Sequence, residues 1–259
     1  MSASGAGTAR IVAIANQKGG VGKTTTAISL GAALAALERR ILLVDCDPQG
    51  NATRGLGARA EGRHLYHALA GETSLAELVR PSGFPHLDLV PSDRDLVGVE
   101  VEFVGLDGWE GRLASLLAPV TGGYDTILLD CPPSLGHLTV LALAAADGVL
   151  VPLQCEYFAL EGVSDLLATV RRVRGGINPR LEIEGIVLTM FDERTNLSRD
   201  VQAEVRRHFP GQVFETVVPR NVRLAEAPSH GQPILQYDIK SRGAEAYLAL
   251  AREQLRRRG

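Results

Sequence analysis

Lys18 and Lys23 stand five positions apart in the stretch ANQKGGVGKTTTA, residues 15–27, directly behind the apolar run Ile11-Val12-Ala13-Ile14. The chain has only three lysines, Lys18, Lys23 and Lys240, among its 27 basic residues. Arginine and lysine differ in geometry, so a loop that holds two of those three lysines in an arginine-rich chain calls for the compact ammonium. Gly19, Gly20 and Gly22 free the backbone to turn successive N–H groups toward one anion. Lys23-Thr24-Thr25 then opens a helix whose positive N-terminal end points the same way. The segment from Lys18 through Val21 to Thr25 is therefore expected to cradle phosphate, with Lys23 reaching the β- and γ-phosphates of a nucleotide and the Thr24 hydroxyl ligating Mg²⁺.

Two further apolar runs end in carboxylates. Ile41 to Val44 leads into Asp45-Cys46-Asp47-Pro48-Gln49-Gly50-Asn51, and Thr126 to Leu129 leads into Asp130-Cys131-Pro132-Pro133. An isolated Asp-x-Asp is usually a turn or a helix cap. At the end of a strand beside a phosphate loop, a carboxylate of the Asp45-x-Asp47 pair, and likewise Asp130, can orient water or hold Mg²⁺ through water.

Positioning these loops requires a particular architecture. Apolar runs recur at 10–15, 41–44, 87–90, 126–129, 149–153, 183–188 and 213–218, mostly separated by longer helical patterns. Continuous apolar strands alternating with helices predict an α/β fold, a mostly parallel twisted sheet of about seven or eight strands with helices on both faces. In such sheets the loops beyond the carboxyl ends of the strands converge on one crevice. Residues 10–259 are expected to form one domain behind a flexible tail, 1–9, and the less regular 51–82, with helical pieces at 65–70 and 75–79, is expected to fold over the site.

Composition excludes more than it selects. Three widely spaced cysteines without a C-x-x-C pair argue against a disulfide framework and a cysteine-held metal. The first nine residues lack a hydrophobic signal core, and no run of 18 apolar residues marks a membrane span, so a cytoplasmic protein is expected. A formal charge of −3 divides into −8 over residues 1–170 and +5 over residues 171–259, a distribution suited to a polyanion on the C-terminal third.

The phosphate loop departs from G-x-x-x-x-G-K-[ST] by carrying Gln17 where the first glycine would stand, followed by Lys18. K-G-G-x-G-K-T-T resembles the ParA/MinD branch of P-loop ATPases, and DCDPQGNAT, DCPPSLG, VPLQCEYFALEG, LTMFDERTN and VPRNVRLAEAPSHGQPI extend the resemblance over nearly the whole chain to the chromosomal ParA (Soj) type. The resemblance implies an ATP- and Mg²⁺-dependent partitioning ATPase that closes as a sandwich homodimer, with Lys18 crossing to the partner's nucleotide and Asp47 positioning the attacking water. It further implies non-specific binding of double-stranded DNA through Arg194 and Arg223, stimulation by a ParB-type protein and association with the nucleoid. Pro219 and Asn221 match the segment lining the family's adenine pocket. Arg206, Arg207, Lys240 and Arg242 are candidates to widen the DNA surface. The alternative is a MinD-like membrane-cycling ATPase, which would need an apolar C-terminal amphipathic helix; here that stripe is alanine-rich.

Overall fold

Each apolar run is a strand whose alternate side chains enter two different cores, which is why the runs carry no polar alternation. In β1 (Arg10–Ile14) Ile11 and Ala13 join one core while Val12 and Ile14 join the other. In β2 (Ile41–Asp45) Leu42 and Val44 separate from Ile41 and Leu43 in the same way. The remaining strands are β3 (Arg80–Pro81), β4 (Leu87–Val90), β5 (Thr126–Asp130), β6 (Gly148–Gln154), β7 (Glu182–Phe191) and β8 (Val213–Pro219).

The structure, a computed structural model, describes residues 8–157 and 159–258. Among them the strands form one eight-stranded sheet in the order β3-β4-β2-β5-β1-β6-β7-β8, parallel throughout except for the β3–β4 pair. Most of the expected tail, residues 1–7, lies outside the described residues. Ala9 is not part of any free tail: it is buried, and its N–H donates to the Thr121 carbonyl at 3.3 Å.

One core is covered by α3 (Leu65–Leu69), α4 (Leu75–Leu78), α5 (Val99–Glu102), α6 (Arg112–Leu117), α7 (His137–Ala145), α8 (Ala159–Gly176) and α9 (Asn196–His208). The other is covered by α1 (Lys23–Ala36), α2 (Asn51–Gly55), α10 (Val222–Glu226), α11 (Ile234–Tyr237) and α12 (Arg242–Arg257). Helix α1 lies close on the sheet because small residues face it; a Cβ on Gly31 would stand 3.3 Å from Leu87 Cδ1. The register aligns Ile14, Asp45 and Asp130 side by side, so the loops leaving β1, β2 and β5 start from one line.

Within residues 51–82 the later part differs from expectation. Leu65, Leu69, Leu75 and Leu78 are buried in the first core, and Arg80–Pro81 pairs antiparallel with β4. The part from Leu65 onward therefore packs at the sheet edge, where those leucines are buried, while α2 at the start of the segment stays beside the site loop, its Thr53 hydroxyl 2.7 Å from Asp45. Proline in a two-residue edge strand fits a place where no ladder donor is needed.

Helix α12 is docked on its own subunit. Ala244, Tyr247, Leu250 and Ala251 are buried, and the Tyr247 hydroxyl lies 3.0 Å from that of Thr26 on α1. Glu253 accepts the N–H groups of Glu215 and Thr216 at 2.7 and 2.8 Å, and Arg257 lies 4.2 Å over the Phe214 ring. The face that a membrane-bound helix would present to lipid is thus part of the core, and among the described residues no helix is long and apolar enough to cross a membrane. Leu250→Ala is expected to destabilise the protein by about 2–5 kcal/mol, the usual cost of a core leucine truncation, read as a lower urea midpoint at unchanged slope. An unchanged midpoint would mean that α12 does not stay docked.

Candidate functional site

The turn between β1 and α1 uses its glycines unequally. Gly20 and Gly22 adopt φ of 74° and 88°, a region costly for other residues, whereas Gly19 has no positive φ and its Cβ would find only Pro133 at 4.0 Å. Gly22 is the N-cap of α1, and no side chain caps that helix. The first-turn N–H groups thus remain for an anion. Two side chains brace the loop: Asn16 Nδ2 donates to the Pro152 carbonyl at 2.7 Å, and the Thr189 hydroxyl donates to the Val21 carbonyl at 2.9 Å. Lys23 folds back, with Nζ donating to the Lys18 carbonyl at 3.0 Å. Burial lowers the pKa of this ammonium, while Asp130, Cys131 and Asp47 act in the opposite sense.

The carboxylates divide the work. Asp45 is fully buried and accepts the Thr53 N–H and hydroxyl at 2.8 and 2.7 Å and the Asp47 N–H at 3.2 Å. It shapes the loop, and burial pushes its pKa up to about 6. Asp47 Oδ1 accepts the Gln49 N–H at 2.8 Å, an Asx turn, and Ser92 holds the Asp47 carbonyl at 2.9 Å. Asp130 is different: it is fully buried, and neither carboxylate oxygen has a hydrogen-bond partner in good geometry. Burial raises its pKa well above the carboxylate range and Asp45 and Asp47 add to that, with Thr24 and Lys23 opposing. Two orphaned acceptors beside a threonine at the head of α1 are what a hydrated Mg²⁺ would satisfy, as a buried carboxylate needs donors or a cation.

On the other side of the loop, Gly22 and Thr25 share a pocket of about 420 Å³ with Thr189, Met190, Pro219 and Asn221. The structure thus brings Pro219 and Asn221, nearly 200 positions away in sequence, to the phosphate loop. Asn221 caps α10 by accepting the Arg223 N–H at 2.8 Å, which fixes the Pro219–Asn221 turn at the pocket mouth. Thr189, Met190 and Tyr247 were not singled out by sequence. Only LTMFDERTN gave a signal for the first two, and Met190, at the end of β7 with φ of 50°, is one of three described non-glycine residues in the left-handed region.

A family model described as an AAA domain matches residues 9–183. Over 250 residues the chain is 57% identical to the chromosome partitioning protein ParA of Myxococcus xanthus, covering 96% of this chain and 88% of that protein. This chain belongs to the ParA/Soj family of chromosome-partitioning ATPases. It is also 57% identical over 248 residues to the chromosome-partitioning ATPase Soj of Thermus thermophilus, covering 96% of each. Among solved structures, one described as cobyrinic acid a,c-diamide synthase of Mycobacterium smegmatis, with bound ADP and magnesium, superposes with a TM-score of 0.85 at 38% identity, covering 96% of this chain and 94% of the other.

The residue that sets the ParA/Soj loop apart, Lys18, is held within its own subunit. Its Nζ donates to Glu156 Oε2 at 2.8 Å, just beyond β6, and Gln154 bonds the other oxygen of that carboxylate. Both arginines expected on DNA are exposed and ion-paired: Arg194 with Asp192 at 2.7 Å, Arg223 with Glu226 at 2.8 Å. Exposed pairs of this kind are weak enough for a phosphate to replace the carboxylate. Arg242 pairs with Glu193 and shares a surface hollow with Arg194 and Arg220. Arg206 is instead engaged inside the fold, donating to the Phe214 carbonyl at 3.0 Å, and Arg207 pairs with Glu204 at 3.7 Å. Part of the C-terminal positive charge therefore anchors helices to β7 and β8, as Arg258 does on Glu184.

Proposed function

We propose that this chain binds ATP with Mg²⁺, pairs as an ATP-bound homodimer on double-stranded DNA of any sequence, and lets go when a ParB-type partner stimulates hydrolysis. The observation that carries the reading is Asp130, buried with both carboxylate oxygens unpartnered beside Lys23 and the uncapped start of α1. The backbone from Lys18 to Thr25 holds the phosphates, Lys23 neutralises their β/γ end, and the pocket of Pro219 and Asn221 takes the base. Thr24 would ligate Mg²⁺, and Asp130 and Asp47 would hold it through water. Mg²⁺ held there would supply positive charge to the phosphate oxygens. Asp47 orients the attacking water. The likeness to a structure holding ADP and magnesium supports this cofactor set, and 57% identity to partitioning proteins over nearly the full chain outweighs the 38% shared with the diamide synthase.

The DNA step is tested by salt titration of duplex binding. Non-specific affinity comes from counterion release, and one arginine removed per subunit deletes up to two phosphate contacts from a dimer. Arg194→Ala and Arg223→Ala are each expected to flatten the log–log salt slope by up to about 2, equally on unrelated sequences, with DNA-free hydrolysis unchanged. Equal affinity with ADP and ATP, or unaltered slopes in both variants, would remove DNA from the reading. Binding to anionic liposomes in its place would favour the MinD-like alternative.

A further inference from the structure

We propose that the stretch from Arg94 to Leu106, with α5 at its centre, is a docking face for a basic, amphipathic helix of a protein partner. The proposal rests on the reading of this chain as a partner-regulated ATPase and names the surface at which such a partner sits. Val97, Val101 and Val104 are 57%, 75% and 62% exposed, and Leu106 is 42% exposed. The chain here is a 3-10 turn over Arg94–Gly98, then α5, then a turn over 103–105, and along it Val97, Val101 and Val104 are exposed while Leu96, Val99 and Phe103 are buried. Four large apolar side chains exposed within ten positions form a stripe of the kind that marks an interaction site.

Charge chooses the occupant. Residues 93–112 contain six acidic residues and two arginines, a formal −4 in a chain whose total is −3. Arg112 is occupied, its guanidinium 4.6 Å over the Phe103 ring and bonded to the Leu69 carbonyl at 3.0 Å. Glu100 and Glu102 are engaged with His137 and Tyr66. Asp95, 74% exposed at its side chain with one oxygen 3.8 Å from His64 Nε2, and Asp107, also exposed, flank the valines. An anionic membrane is repelled by such a rim, and a second copy would set like charge against like. A helix with an apolar stripe between lysines or arginines satisfies both features.

The face is joined to the nucleotide site. Glu100, next to Val101, accepts the His137 N–H at 2.9 Å and the Leu138 N–H at 3.2 Å in the first turn of α7. A Cβ on Gly136 would come within 2.6 Å of that carboxylate, and Trp109 packs edge-on to His137 at 4.7 Å. The turn held in this way is the end of the segment 131–136 that leaves Asp130. A helix seated on the valines therefore bears on the metal-side loop through Glu100.

The probe is a fluorescein-labelled 18-residue peptide of leucine, alanine and lysine with leucines at i, i+4 and i+7, together with a twin in which glutamate replaces every lysine. Anisotropy titration against the full chain is expected to show saturable binding of the basic peptide and none of the acidic twin. Val101→Ser/Val104→Ser should weaken binding at least tenfold, and Asp95→Asn/Asp107→Asn should flatten its salt dependence. These side chains are exposed, so both variants keep the fold, checked by urea midpoint. Trp109 is the chain's only tryptophan. Its emission should change with the same midpoint as the anisotropy, reporting the link to α7. Equal binding of the acidic twin, or undiminished affinity in the valine variant, overturns the proposal. So does a nucleotide-free dimer, or binding to vesicles of phosphatidylcholine and phosphatidylglycerol, that the valine variant abolishes, since the occupant is then a second copy or lipid. ATP-analogue binding, measured separately on the same samples, is expected in all of them; its absence in the wild type would count against the nucleotide reading and leave the docking result standing.

Discussion

Asp47→Ala is expected to bind ATP within a few-fold of wild type and to turn it over at least about 100-fold more slowly, the usual scale for losing a residue that positions or activates the nucleophile. Phosphoryl transfer is catalysed by positioning and by charge stabilisation, so the phosphate cradle should keep its affinity when the water loses its guide. Alanine also deletes the acceptor of the Gln49 N–H, which would loosen the turn. Asp47→Asn separates the two effects, since its side-chain oxygen can still accept that N–H while the negative charge is gone. If the Asp47→Asn variant turns over ATP as fast as wild type, Asp47 shapes the loop and another group handles the water. Phosphate release with DNA and the ParB-type partner present is the measurement.

Lys18→Gln should leave nucleotide binding to the single subunit nearly intact and abolish the ATP-dependent dimer, with hydrolysis falling along with it. The reason is visible in the free subunit. Lys18 Nζ is 2.8 Å from Glu156 and contributes its backbone carbonyl, not its ammonium, to Lys23. Its charge is thus stationed on Glu156 at the rim of the site, and not on the subunit's own phosphate cradle. A partner's triphosphate is a stronger anion than one carboxylate that is 44% exposed, so the ammonium can transfer to it when two subunits meet. Light scattering with a non-hydrolysable ATP analogue reads the outcome directly. A variant dimer as stable as the wild type would assign Lys18 to its own subunit, with Glu156 as its permanent partner.

Local chemistry was legible in the sequence wherever one short segment carries the whole requirement. The glycines and Lys23-Thr24 specify a phosphate turn because backbone freedom, ammonium and hydroxyl all lie within a few residues. The apolar runs specify strands covered on both faces because each alternate side chain must be buried. The position of Asp130 after four apolar residues already placed a carboxylate at a strand end, and Gln17-Lys18 marked the branch of the family. Other features depended on contacts between distant segments. Position alone did not separate Asp45 from Asp47; the family resemblance pointed to Asp47, and the reason Asp45 is taken up in shaping its loop lies in Thr53 bonding back to it. Nor could it show that Gly19 needs no special dihedral, that Lys18 rests on Glu156, or that the leucines of 65–78 pack at the sheet edge, because each follows from what the fold places alongside. The pocket beside Gly22 exists only where β7, β8 and α12 bring Met190, Pro219 and Tyr247 against the loop. The C-terminal helix is the clearest case: its alanine-rich stripe and arginines suit a lipid surface, a polyanion or a core, and only the buried Tyr247, the Glu253 bonds to β8 and the Arg257–Phe214 stack decide for the core. Burial and long-range pairing are properties of the assembled chain, so those assignments belong to the tertiary structure.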